Sequence, residues 1–161
     1  MIKLDSDAEI IYDIMMDAFS EYKTDPMPSS ALNETVASIS RNLESGELAL
    51  VGYLDQEPVA MVRFKLADNY LYFSRLSVKQ AFQGTGMAKK LLHALEGFSL
   101  SKEIYEIQCK VRKSVPRNLM LYESLGYEIY DEDDITNANG DIIKTVSMRK
   151  LLKNQAKQKL G

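Results

Sequence analysis

The sequence predicts an α+β (mixed α/β) fold: a central mixed, mostly antiparallel sheet of six to seven strands with helices on both faces. Three observations lead there. Apolar residues recur at helical spacing up to about residue 45, and from residue 47 the period becomes that of strands. Residues 70 to 111 then read as strand, helix, strand around two tightly spaced glycines, a unit whose strands should be parallel and right-handed in connection. Residues 1–150 are expected to form one domain, with 151–161 as a basic tail.

The elements follow in order. A short strand at Ile2 to Leu4 precedes a helix carrying Ile10, Ile11, Ile14, Met15 and Ala18, which Asp5, Ser6 or Asp7 could cap. The stretch "KTDPMPSS" breaks the pattern, because two prolines within three residues enforce a loop. Ser29 or Ser30 is then positioned to cap a second helix through Leu32, Val36, Ile39 and Leu43, ending near Gly46. The runs "ELALVGYL", "VAMVRFKL" and "YLYFSRLSV", separated by "DQEP" and "ADN", predict an antiparallel meander. The third is apolar on both faces over Tyr70 to Phe73, as a central strand should be. A helix with Met87, Ala88, Leu91, Leu92, Leu95 and Phe98 on one face follows, then the strand "IYEIQCKVR". Pro116 and Gly126 frame a short helix over 116–125. Strands near 127–132 and 142–149 close the chain, with Asn139-Gly140 as a turn signal and "DEDD", 131 to 134, as a solvated strand end. The methionines at 15, 16, 61, 87 and 120 read as core fillers.

Composition narrows the function. At 161 residues and 45% hydrophobic, the chain can bury one sizeable core. No apolar run reaches the ~18 residues that a bilayer-spanning helix needs, and "MIKLDSDAEI" has acids where a signal peptide would be apolar, so a cytoplasmic address without membrane attachment is expected. The net charge is −3, and residues 149–161 hold five cations and no acid, which leaves −8 for the rest. So acidic a body argues against nucleic-acid binding. Cys109 stands alone, which excludes an internal disulfide and a cysteine-built metal site; no metal is expected. His93, the one histidine, falls on the polar side of its helix and offers no support to a thiol nucleophile.

Within "LSVKQAFQGTGMAKKLL", two glycines two apart allow positive φ and can turn successive N–H groups toward one point, a nest for an anion. The helix that starts near Gly86 adds unpaired N–H groups and the positive end of its dipole, which favours a phosphate or diphosphate. Lys89 and Lys90 oppose that dipole, so an anion makes better sense of them than helix stability does. The pattern G-x-x-x-x-G-K-[ST] is absent, which disfavours a nucleoside triphosphate. A dinucleotide fingerprint would want a third glycine where Lys89 stands. A turn that merely joins strand to helix is the remaining alternative.

The segment "QGTGMA" resembles the acetyl-CoA signature Q/R-x-x-G-x-G/A of the GCN5-related N-acetyltransferases (GNAT), with Gln83, Gly86 and Ala88 on the defining positions. The preceding "RLSV" is similar to that family's strand before the loop. "RNLMLYESLGYE", 117 to 128, resembles its later helix, with an Asn, a Tyr four residues on and a Leu-Gly-aromatic ending. Together these cover residues 70–130 in the family's order. The resemblance implies a GNAT-like fold with splayed parallel strands over 70–78 and 104–111, and acetyl-CoA as the cofactor. It implies a diphosphate held by Gln83, Gly84, Thr85, Gly86, Met87, Ala88 and Lys89, and pantetheine amides cradled by the main chain of Leu76, Ser77 and Val78.

Asn118 and Tyr122, four apart, share one helix face. A tyrosine holds its proton at neutral pH and a departing thiolate needs one, so Tyr122 is the candidate general acid, with a core tyrosine beside Leu119 and Leu125 as the alternative. Asn118 would bond the pantetheine or fix the loop, and an N–H near Leu76 would stabilise the oxyanion. For the base, Glu21, Tyr22 or a water chain near Tyr72 and Ser74 are candidates. In the family the first helices wall the acceptor site, so Glu21, Tyr22 and Asp25 are expected to bind a small-molecule or peptide amine. The function expected is N-acetyl transfer to a primary amine in a ternary complex, and the competing reading is a non-catalytic acyl-CoA sensor. A homodimer through the C-terminal strands is compatible with the pattern but not required by it.

Overall fold

The computed structural model describes residues 1–20 and 30–153, and there the change of period becomes a change of element. Strand β1 (Ile2–Leu4) leads to helix α1 (Ala8–Phe19). Asp7 sets the start of α1: its carboxylate accepts the N–H groups of Glu9 and Ile10, two of the donors that a helix start leaves unpaired. A 3-10 turn over Ser30–Asn33 precedes α2 (Val36–Glu44). Here the expected cap moves. Thr35 caps α2, exchanging side-chain-to-main-chain bonds of 3.0 and 2.9 Å with Ser38, while Ser30 opens the 3-10 turn and Ser29 lies outside the described residues.

Strands β2 (Leu48–Leu54), β3 (Glu57–Leu66), β4 (Leu71–Val78), β5 (Glu106–Arg112), β6 (Glu128–Thr136) and β7 (Ile142–Leu151) complete a seven-stranded mixed sheet in the order β1-β2-β3-β4-β5-β7-β6. Helix α3 (Met87–Ser101) connects β4 to β5, and α4 (Pro116–Ser124) follows β5. The pair β4/β5 is parallel, as the strand–helix–strand pattern requires, and β1/β2, β2/β3, β5/β7 and β6/β7 are antiparallel. This is the α+β architecture the sequence predicts, with β4 at the centre.

The chain divides into two compact units, Met1–Leu66 with Phe73–Leu95, and Ala67–Tyr72 with the residues from Glu96 onward. In the first unit, Ala49, Val51 and Met61 face Ile11, Ile14 and Met15 of α1 and Ile39 of α2 in one core cluster. Each such fully buried aliphatic side chain contributes about 1.5–3 kcal/mol over an exposed one. Alternation along β2 sends Gly52 to the opposite face, where a Cβ would overlap Met87 Cε at the start of α3. Helices therefore cover both faces of this part of the sheet.

In the second unit, β5 and β7 register from Glu106↔Leu151 to Arg112↔Thr145, burying Ile107, Cys109, Val111, Val146 and Met148. Parallel registration of β4 with β5 covers Leu71↔Ile107 and Tyr72↔Gln108. Two expectations change here. Met120 is 69% exposed on α4 and fills no core. The acids 131–134 are not a strand end: β6 runs through them to Thr136, pairing Asp133 with Thr145 and Asp134 with Lys144, and all nine of its residues are exposed. A row of acids on an exposed edge strand discourages pairing with other chains.

Candidate active site

The first unit places the glycine loop directly after β4. A 3-10 turn over Gln80–Phe82 leads into it, and the Gln80 N–H donates to Asp17 Oδ1 at 2.8 Å while Gln80 Nε2 donates to Asp17 O and Ser20 Oγ at 2.8 and 2.6 Å. The end of α1 thus holds the entry to the loop. Gly84 and Gly86 have φ of +81° and +83°, a region that costs an L residue about 1–2 kcal/mol. Nothing lies within 4 Å of where a Cβ would stand on either, so conformation rather than crowding selects glycine. Thr85 Oγ donates to Phe82 O at 2.6 Å, and the Gln83 N–H and Nε2 donate to Gln80 O and Val78 O, both at 3.4 Å.

Helical bonding begins with the Lys90 N–H on Gly86 O at 3.1 Å. Among the described residues, the N–H groups of Gly84, Thr85, Gly86, Met87 and Ala88 have no acceptor. Five open donors at a helix start, with the exposed Lys89 and Lys90 beside them, suit an anion with several oxygens. This fits the diphosphate of coenzyme A.

Just before the loop, Arg75 has φ of +58° inside β4. A left-handed residue within a strand is the backbone mark of a bulge and re-aims the main chain that follows, here Leu76, Ser77 and Val78. Ser77 is 2% exposed, and its Oγ donates to Arg75 O at 2.8 Å. The Arg75 side chain is held in turn. Its Nε donates to Glu34 Oε2 and its Nη2 to Ser30 Oγ, each at 3.0 Å. Both Glu34 oxygens also accept from Arg63 Nη1 at 2.8 Å, and Arg63 Nε donates to Glu47. Burial alone would lower the Arg63 guanidinium, but its bonds to Glu47 and Glu34 outweigh that and hold it above its ordinary value. Sequence reasoning passed over this network. Its only trace is a charge inside each of two apolar runs, "VAMVRF" and "YLYFSRLSV".

In the second unit, Pro116 opens α4 and brings Asn118 and Tyr122 onto one face, Asn118 half-buried and Tyr122 6% exposed. The Tyr122 ring lies 5.8 Å from that of Tyr127, tilted by 55°. Burial pushes the Tyr122 phenol well above its ordinary range, and Cys109 acts in the same direction. Burial also pushes the Cys109 thiol up to about 12. His93 is exposed. Glu21, Tyr22 and Asp25 lie outside the described residues. Among the described residues no group of three or more His, Cys, Asp or Glu could hold a metal ion, and no helix is long and apolar enough to cross a membrane.

A family model described as "Acetyltransferase (GNAT) family" matches residues 8–127. Among curated proteins none matches the chain's sequence. Solved structures share the fold. The ribosomal-protein-S18-alanine N-acetyltransferase from Escherichia coli is similar with a TM-score of 0.76 at 16% identity, over 96% of each chain. A PaiA N-acetyltransferase from Thermoplasma acidophilum in complex with coenzyme A gives 0.70 at 16% identity, over 94% of this chain and 99% of its own. An acetyltransferase of the GNAT family from Streptococcus pneumoniae gives 0.70 at 14% identity, over 95% and 99%.

Proposed function

The chain belongs to the GNAT family of acetyltransferases and is an acetyl-CoA-dependent N-acetyltransferase, and we propose that it acetylates a primary amine by direct attack in a ternary complex, with Tyr122 as general acid. The observation that carries the donor side is the set of five unaccepted N–H groups from Gly84 to Ala88 at the start of α3. Gln83 and Lys89 flank them, and the re-aimed main chain of Leu76 to Val78 meets the pantetheine amides in the manner of an added strand. Asn118 is the candidate either to bond the pantetheine or to fix the loop.

Bound acetyl-CoA supplies a thioester carbonyl open to attack and a thiolate leaving group. As the C–N bond forms and the C–S bond breaks, the Leu76 N–H stabilises the oxygen that becomes negative. Tyr122 gives its proton to the departing sulfur. Burial makes this phenol a weaker acid than free tyrosine, but a thiolate formed in the same surroundings is raised too. Burial also pushes the Cys109 thiol up to about 12, so it stays protonated at neutral pH. A neutral, 2% exposed Cys109 is also no nucleophile, which favours direct transfer over an acyl-enzyme. A lone cysteine suits a reducing compartment such as the cytoplasm.

The acceptor amine must lose a proton of pKa ~10.4, and Glu21 or Tyr22, or water held near Tyr72 and Ser74, would receive it. With Asp25, these residues suit a small cationic amine or a peptide amine. The test is thiol release from acetyl-CoA across a panel of amines, in which cationic acceptors should outrun neutral ones. Tyr122→Phe should lower kcat by about 10²–10⁴ while acetyl-CoA affinity stays nearly unchanged. Equal rates would remove Tyr122 from its role, and tight coenzyme A binding without thiol release to any amine would leave an acyl-CoA sensor.

A further inference from the structure

We propose that Glu34 is a positioning residue for acetyl transfer, acting through Arg75: its carboxylate holds Arg75 left-handed in β4 and so fixes the direction of the Leu76 N–H. The inference rests on the proposed oxyanion role of that N–H. Arginine does not adopt a φ of +58° by preference, and no glycine stands at this point of the strand. What keeps it there is a clasp on the side chain, Nε on Glu34 Oε2 and Nη2 on Ser30 Oγ. Ser77 Oγ on Arg75 O closes the same kink from the main-chain side.

Glu34 itself cannot drift. Both of its oxygens are bonded to Arg63, whose side chain is 3% exposed and bonded onward to Glu47. Two arginines and two glutamates balance in charge, so the anchor is neutral as a set. The chain of contacts runs from the buried face of β3 through Glu34 to a strained residue one position before the candidate oxyanion donor. It does not touch the diphosphate loop from Gln83 to Ala88. Glu34 should therefore govern turnover more than donor affinity, which it reaches only through the pantetheine arm and not through the diphosphate.

The experiment separates this role from plain stability. Glu34→Gln should lower kcat roughly ten-fold and raise the Kd for coenzyme A by a smaller factor, because the Leu76 to Val78 main chain also meets the pantetheine arm. In the R75G background, where the backbone reaches a φ of +58° without a clasp, the same substitution should change kcat little. Melting temperature should fall on Glu34→Gln in both backgrounds, since Arg63 loses a charged partner in each. Arg75→Ala leaves the buried Arg63 pair intact and should lose as much kcat as Glu34→Gln, and more than Arg75→Gly. Equal kcat losses with and without Arg75 would overturn the proposal. Hydrogen exchange at the Leu76 and Ser77 amides of the unliganded protein reads the clasp without any reaction: Glu34→Gln should speed it in the native background and not beside R75G. If no amine is acetylated, the enzymatic reading fails and the exchange result alone upholds or overturns the clasp.

Discussion

Gly84 and Gly86 do their work by lacking a side chain rather than by contact. Each has a positive φ and open space where a Cβ would stand, so Gly86→Ala adds no clash and only backbone strain. If the free loop relaxes out of the left-handed region and binding restores it, that strain, about 1–2 kcal/mol, should appear as a coenzyme A Kd raised about 5- to 30-fold with an almost unchanged melting temperature, checked by calorimetry and thermal unfolding. A large drop in melting temperature with intact affinity would mean the loop is structural. These glycines were legible in the sequence because a torsional need is written in one residue type. The shared helix face of Asn118 and Tyr122 was legible for another reason, their spacing of four ahead of a Leu-Gly-Tyr ending. Arg63 and Arg75 were not. Their partner Glu34 lies 29 and 41 residues away, and no local period encodes a pairing that only tertiary folding creates.

At the scale of elements, the Arg63 network joins β3 to the start of β2 and the turn before α2. Glu47 is 7% exposed, and removing it leaves a buried guanidinium with Glu34 as its remaining carboxylate. Glu47→Ala should cost about 3 kcal/mol in urea unfolding, the low end for a broken buried pair because Glu34 still faces the guanidinium, whereas a paired Arg63→Met, Glu47→Leu replacement should recover part of that, since it removes the buried cation and leaves Glu34 with Arg75. A Glu47→Ala cost under about 1 kcal/mol would show the pair to be solvated in practice. The elements misread from sequence fail for related reasons. Acids disfavour strands on their own, so the sequence points to a strand ending near residue 132 with 131–134 as its solvated end, yet the ladder to β7 carries it through Asp133 and Asp134 to Thr136. Two serines after two prolines looked like a cap, but Thr35 wins because Ser38 can answer it.

For the whole molecule, alkaline pH is the condition that tests packing. The bond from Tyr53 Oη to Asp5 Oδ2, then burial and the charges of Asp5 and Asp7, push that phenol up to about 12. Burial raises Tyr122 and Tyr127 further. A raised phenol stabilises the fold fully below its unfolded value near pH ~10, and the contribution drains away as pH climbs through the folded value. Denaturant unfolding at stepped pH should thus show stability falling above about pH 10, less steeply between 10 and 12 for Tyr53→Phe. Identical slopes would contradict the Tyr53 linkage. The overall architecture was legible because each local signal agreed with it: helical period, then strand period, then a crossover around the loop. What stayed hidden was how the halves of that plan touch. At Gly52 a bare α-carbon on β2 receives the thioether of Met87, the first residue of α3. Strand and helix mouth are therefore fitted to each other like a notch and its tongue: a bulkier residue in the one demands a shorter one in the other, and neither can drift alone.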